Sequence, residues 1–579
     1  MKDNSAKYFV ENESQFHLGD LVTEHSHPKT RKLSELTQES TCEGIGVLLD
    51  VDFDIIPVAR KVIEGKEYSE FVQSLVNTIE QGGRVVFSSC GASGRLAIIL
   101  ESMWREFWID LRARYSNIEA DWACYQDQTL SIMTGGERAF IRSVENFEDF
   151  QLFGRQQVVE AELDDKDLLI ALTEGGEISS VIGTMKEACE RGCKVFMFYN
   201  NPRELLMNKF QRSKEVLSNP EIVSIELCTG PMALTGSTRM QATTIGMLLV
   251  GMAMEESFRQ IVEGKSIAIS KEIWPDSLDI RKQSLLEFEA ILNELNQAKC
   301  LKGMCEWVDK EAEIYNKGGR VTYLAGEFLL DIISDTTERT PTFMIPPFCT
   351  FDDDKSPPPW AFACNPTLES NEAWKKMLGR EPRGLDWTVD DYKRMGGTEE
   401  MFIKPPQLSQ YDILKYHIGH EIINDESQDP NNHYLEISVD SRTGQHDIRT
   451  GPHDIQIGHH DSREGADSRI CPSCIHIPVG LAFSAIKLFH HLALKIILNT
   501  VSTATMAKLG RIKGNWMIQV DATNKKLIDR ATRIVQHFSG LKYEEACTEL
   551  FKTMNDPEID RSEFKISYVS QTLKRLGIS

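Results

Sequence analysis

Three short segments rich in glycine, serine and threonine hold the residue types that could cradle an anion. Cys90-Gly-Ala-Ser-Gly-Arg joins an apolar run (84–90) to a helical pattern. Such a loop lets backbone N–H groups converge on a phosphate, with the partial positive charge of a helix N-terminus behind them. Ala92, Ser93 and Gly94 are its candidate contacts. Thr173-Glu-Gly-Gly-Glu-Ile-Ser-Ser follows the next strand pattern and offers Thr173 and Gly175. Leu234-Thr-Gly-Ser-Thr-Arg-Met offers Ser237. Loops at the carboxyl ends of parallel strands meet in one crevice. Together the three fit a hydroxylated, phosphorylated small molecule, a sugar phosphate. Taken singly, each reads equally well as close packing. No Gly-Lys-Ser/Thr follows the first loop, so it is not a Walker loop.

The elements that would position these loops alternate in type. Asp167 to Thr173 and Lys194 to Tyr199 read as buried strands, with a helix over Ser179 to Arg191 between them. That order makes a right-handed βαβ unit. Gly82-Gly-Arg-Val-Val-Phe recurs as Gly318-Gly-Arg-Val-Thr-Tyr, each after an amphipathic helical stretch (Tyr68 to Gln81, Met304 to Lys317). The reading is an internal duplication. Tyr434 to Asp440 reads as a strand of the second copy. Residues 350–410 read as irregular loops and short helices. A long apolar helix is expected over Leu481 to Thr505, and the last seventy or so residues read as helical.

Length and charge set the frame. The chain has 579 residues, with 64 Lys plus Arg against 87 Asp plus Glu, for a net charge of −23. That surface repels a phosphate backbone, so nucleic acid is not an expected partner. No apolar run reaches a membrane span, and the N-terminus lacks a signal core. Thirteen scattered cysteines suit reduced thiols and a cytoplasmic location. His446-Asp, His453-Asp and His460-Asp recur every seven residues, near His459, Cys471, Cys474 and His476. A second Cys-x-x-Cys is absent, so no metal is assigned; no cofactor is assigned either.

These motifs resemble a known family. Cys90-Gly-Ala-Ser-Gly-Arg-Leu, the stretch from Gly135-Gly136 to Glu148-Asp149, and Leu234-Thr-Gly-Ser-Thr-Arg-Met look like a sugar isomerase (SIS) domain. More narrowly, they resemble N-acetylmuramic acid 6-phosphate etherases and the glucokinase regulatory protein. Leu21-Val-Thr-Glu with Pro28 is similar to the etherase N-terminus. Lys495-Ile-Ile-Leu-Asn-Thr-Val-Ser-Thr-Ala and the following stretch to Ala522-Thr-Asn-Lys-Lys-Leu are similar to both. The resemblance implies an α/β fold: two SIS-type three-layer α/β/α domains with parallel sheets plus a C-terminal helical lid. The expected divisions are an arm (1–45), SIS domain 1 with the phosphate loop (46–280), SIS domain 2 (281–500) and the lid (501–579).

The resemblance also assigns roles. Ala92 and Ser93 fall on sugar-phosphate contacts, Thr173 and Gly175 on the second ligand loop, Glu148 on a ligand carboxylate, and Lys495 on a lysine that reaches the ligand. Glu338, in Asp335-Thr-Thr-Glu-Arg-Thr-Pro-Thr-Phe, falls on the etherase acid/base. Met103 stands at that position in the first copy, and Glu327 replaces the phosphate loop in the second. One complete pocket between the domains is expected, with Ser93, Thr173 and Glu148 facing Glu338 and Lys495. Glu177 stands where etherases often carry arginine. Lys495 could instead snorkel, and Arg239 could be a structural clamp. The expected function is sugar-phosphate binding of a regulator type (a hexose or amino-sugar 6-phosphate). The alternative is a carbon–oxygen lyase of the etherase type or a sugar-phosphate isomerase, with Glu148 and Glu338 as catalytic acids. Pure binding and enzymatic use stay open at this point. A sugar kinase is the protein partner that the regulator resemblance implies, echoed only by Gly480-Leu-Ala-Phe.

Overall fold

The computed structural model describes residues 5–115, 120–144, 146–426, 431–441, 453–460, 475–520, 522, 524–559 and 567–578. The first lobe runs α1 (Lys66–Glu80), β1 (Val85–Ser89), α2 (Gly91–Arg114), β2 (Thr129–Met133), α3 (Gln151–Glu160), β3 (Leu168–Thr173), α4 (Ser179–Glu190), β4 (Lys194–Tyr199), β5 (Ile222–Glu226) and α5 (Gln241–Lys265). Its sheet is parallel throughout, in the order β2-β1-β3-β4-β5. Val85 to Ser89 and Leu168 to Thr173 are buried along their whole length, as the continuous apolar runs of a sheet covered on both faces require.

The second lobe runs α6 (Ala298–Asn316), β6 (Arg320–Leu324), α7 (Leu329–Phe343), β7 (Ala361–Cys364), β8 (Asn432–Ser441), β9 (His453–His460), β10 (Ile475–Ile477) and α8 (Leu488–Lys508). Its order is β10-β9-β8-β6-β7. Here the expectation of parallel sheets needs correction. β6 pairs in parallel with β7 and β8, but β8–β9 and β9–β10 are antiparallel. The second sheet is therefore mixed. Of the His-Asp repeat, His453 to His460 forms β9; His446, Asp461, Cys471 and Cys474 lie outside the described residues. Among the described residues no His/Cys/Asp/Glu group could hold a metal ion.

Helices α9 (Lys525–Ser539) and α10 (Tyr543–Met554) follow α8 and carry the C-terminal segment. The first residues of the chain return to them. Phe9 packs on Phe551, and Glu24 sits between Arg530 (2.5 Å) and Arg533 (2.8 Å). The lobes are fastened by charge as well. Arg380 of the second lobe bonds both Glu101 (2.7 Å) and Glu137 (2.5 Å) of the first.

The expectation of reduced thiols is corrected at one pair. Cys42 and Cys305 form a disulfide, their Cα atoms 5.7 Å apart. Helix Thr41–Asp52 packs on α6, which brings the two cysteines within bridging distance. Among the described residues no helix is long and apolar enough to cross a membrane.

Candidate functional site

In the first sheet the chain leaves β1 toward β2 on one side and returns to β3 on the other. The crevice outside the carboxyl ends of β1 and β3 is therefore a topological switch point, where ligands of open α/β sheets bind. Two of the three segments picked from the sequence end there. Cys90 is the N-cap of α2 and makes no side-chain capping bond, so the first N–H groups of the helix carry no side-chain acceptor. Gly91 has φ 57°, a left-handed turn that suits glycine. Ser93 is buried. After β3, the Thr173 hydroxyl accepts from Gly176 N at 3.2 Å and shapes the second loop.

The sequence-derived residues fall around two small cavities rather than one. Ala92, Glu338 and Lys495 line the first, with Arg95, Arg239 and Asp335. Its volume of about 40 Å³ holds a few waters, not a hexose. Glu148 and Gly175 line the second, with Asp149, Glu174 and Lys526. The Cys90–Arg95 segment touches both, since Cys90 Sγ lies 3.9 Å from Glu148 Oε2. Gly94 abuts Met133. Ser237 lines neither. Its loop is clamped between arm and lid, with Gly236 N donating to Thr23 O and Thr235 N to Asn515 O.

Each candidate acid is already held. Arg95 donates to Glu338 across the lobes and, through Nε, to Thr337 at 3.0 Å. Asn524 at the start of α9 donates to Glu148 at 2.8 Å. Glu177 is neutralised by Arg212 at 2.8 Å and accepts from Ser213 N at 2.7 Å. Arg239 acts as a clamp: it donates to Asp335 (2.8 Å), Ser502 (3.0 Å) and Thr503 (2.8 Å).

Lys495 donates to the Arg239 carbonyl at 2.7 Å and to Thr244 Oγ1 at 3.0 Å. Burial, opposed by Asp52 and reinforced by Arg239, pulls its ammonium down to about 7. A folded-state value below the ordinary 10.5 supplies stability above 10.5 that is lost as pH falls toward 7. Lys495→Met removes that loss. Urea titrations should therefore show wild type losing ground to Lys495→Met as pH drops through this window; a constant difference would contradict a depressed lysine.

Several residues of the site escaped the sequence reading. Asp149 is pushed up to about 7 by burial and by Glu148 beside it. Lys526 lies 3.6 Å from Glu174, whose own carboxyl is raised by burial. Asp149 was visible within the Glu148-Asp149 motif. The Glu174–Lys526 pairing spans more than three hundred residues and leaves no local pattern.

Residues 67–189 match the family model of the glucokinase regulatory protein N-terminal SIS domain, and residues 514–575 match the C-terminal lid domain of the same protein. N-acetylmuramic acid 6-phosphate etherase 1 of Bacillus licheniformis is 24% identical over 236 residues, 41% of this chain and 68% of that protein. The etherase of Petrotoga mobilis is 27% identical over 236 residues, 41% of this chain and 69% of its own length. A solved structure, the C-terminal domain of glucosamine-fructose-6-phosphate aminotransferase from Francisella tularensis, aligns at 12% identity and a TM-score of 0.34, over 79% of this chain and 95% of that one. The chain is an α/β protein whose residues 67–189 resemble the N-terminal SIS domain and whose residues 514–575 resemble the C-terminal lid of the glucokinase regulatory protein, and it is similar as well to N-acetylmuramic acid 6-phosphate etherases.

Proposed function

We propose that the chain binds a hexose or amino-sugar 6-phosphate and acts as a ligand-gated regulator. The phosphate would sit on the Ala92-Ser93-Gly94 turn, beside Thr173 and Gly175. Glu148 would take sugar hydroxyls, and Ser237 of the first lobe, Glu338 of the second and Lys495 of α8 would close the site once the two small cavities open into one. The observation that carries this reading is the uncapped N-terminus of α2 at the β1/β3 switch point. Two features favour regulation. The Glu338 carboxylate is already taken up by Arg95. Glu148 is bonded to Asn524, so ligand at Glu148 would change how the lid is held. A protein partner that reads the lid then completes the regulator.

The lyase reading has its own support. Asp149, held up at about 7, has the proton affinity a general acid or base needs near neutral pH. Incubation with N-acetylmuramic acid 6-phosphate in deuterated water separates the two. The regulator reading expects a raised melting temperature, no lactate and no deuterium at sugar C2. Ser93→Asp, which places a carboxylate on the turn, should abolish the thermal shift. Lactate release that disappears in Glu338→Gln or Asp149→Asn would establish the lyase and overturn the regulator reading.

A further inference from the structure

A roomier cavity lies away from the switch point, among the described residues. It encloses about 210 Å³, against about 40 and 20 Å³ for the two described above. Its walls are the segment after β2 (Arg138, Ser143, Asn146) and a segment of the second lobe (Thr398, Lys404, Gln407). Arg138 and Lys404 are cations, and Glu400 is the single acid among the described lining residues.

Arg138 is the telling side chain. It is half-buried, its guanidinium lies over the Tyr416 ring at 5.5 Å, and Nη1 donates to the Arg142 carbonyl at 2.7 Å. No carboxylate pairs with it among the described residues. Other buried arginines here meet acids: Arg95 with Glu338, Arg105 with Glu101, Arg339 with Glu311, Arg530 with Glu24. Arg511 instead gives its N–H to the Phe343 and Met344 carbonyls. Burial is the largest influence on the charge of Arg138 and disfavours it, as does Arg142; Tyr416, which also hydrogen-bonds it, and Asp412 offset part of that cost. A guanidinium has five N–H donors, so some remain to face the cavity. In a chain of net charge −23 such a cation is an exception.

We propose that this cavity is a second ligand site, for a small oxyanion-bearing molecule. Arg138 and Lys404 would hold the anion from opposite lobes, as a guanidinium and an ammonium hold phosphate or carboxylate. Ser143, Asn146, Thr398 and Gln407 are neutral donors around it. The volume accommodates inorganic phosphate or a phosphate ester of a few carbons. An anion there ties the lobes together and restrains Asn146, whose carbonyl accepts from Asp149 N at 3.4 Å.

Titration of the full chain with inorganic phosphate, followed by saturable broadening of the phosphorus resonance, tests the site. Ser93→Asp removes the phosphate seat proposed above and should still keep one saturable phosphate-binding component, the one assigned to this cavity. Lys404→Glu and Arg138→Gln should each weaken that binding at least about tenfold, the loss of one charge-assisted contact. Lys404 is exposed, so Lys404→Glu should melt with wild type and report binding alone even if Arg138→Gln folds poorly. Displacement of phosphate by malonate marks a general oxyanion site; phosphate retained against malonate marks a phosphate site. Phosphate binding lost in Ser93→Asp but intact in Lys404→Glu, or no saturable binding in wild type, would overturn the proposal.

Discussion

Arg339→Met should be among the most destabilising substitutions in this chain, by about 3–5 kcal/mol. Arg339 is fully buried, 0% exposed, and donates to Glu311 at 2.6 Å and Asp335 at 2.8 Å. Glu311 is equally buried and also accepts from Tyr315 (2.6 Å) and Tyr323 (2.8 Å). Asp335 continues the chain of charges to Arg239 in the first lobe. Removing the guanidinium strands one fully buried carboxylate and weakens the hold on a second. The cost comes from those stranded charges more than from the lost attraction. A double variant, Glu311→Leu with Arg339→Met, should therefore recover a substantial part of the loss, and urea unfolding of the cycle measures it. Equal and additive losses would show that the network is not energetically coupled.

The second large effect is steric. Helices α3 and α4 cross at glycines. A Cβ at Gly154 would stand 1.8 Å from the Ser180 carbonyl oxygen, and one at Gly183 would stand 2.0 Å from that of Gln151. Both obstacles are backbone, so neither can rotate away. Gly154→Ala and Gly183→Ala should each cost about 1–3 kcal/mol by forcing the helices apart. α4 begins at Ser179, directly after the Thr173–Ile178 loop. The displacement should therefore also abolish thermal stabilisation by a sugar phosphate at temperatures where the variant is still folded. Gly46→Ala meets nothing within 4 Å and is the matched control. A Gly154→Ala variant that melts like wild type would mean that the helices do not cross so closely.

Strands β1, β3 and β4 were legible because each is an unbroken apolar run between a glycine or acidic turn and a helix. β2, β5 and β7 were not. Thr129-Leu-Ser-Ile-Met and Ile222-Val-Ser-Ile-Glu mix polar residues into short edge or near-edge strands, and Ala361–Cys364 is four residues inside a proline-rich stretch. The Cys90–Arg95 turn between β1 and α2 was legible because glycine and serine spacing is local. The partners that now hold Glu148, Glu338 and Glu174 come from Asn524, Arg95 and Lys526. Such pairings depend on how lobes and lid pack, and single positions such as Met103 or Glu327 carry no trace of them.

The seat of Glu24 sets an order of events during synthesis. Its two arginine partners stand 506 and 509 residues further along the chain. At roughly 5–20 residues per second, the arm leaves the ribosome on the order of half a minute or more before those partners exist. For that interval Glu24 has no counter-charge, while Leu18 and Leu21 can already pack on the first lobe. The arm can therefore dock through its apolar residues first, and the charge lock closes only when α9 is made.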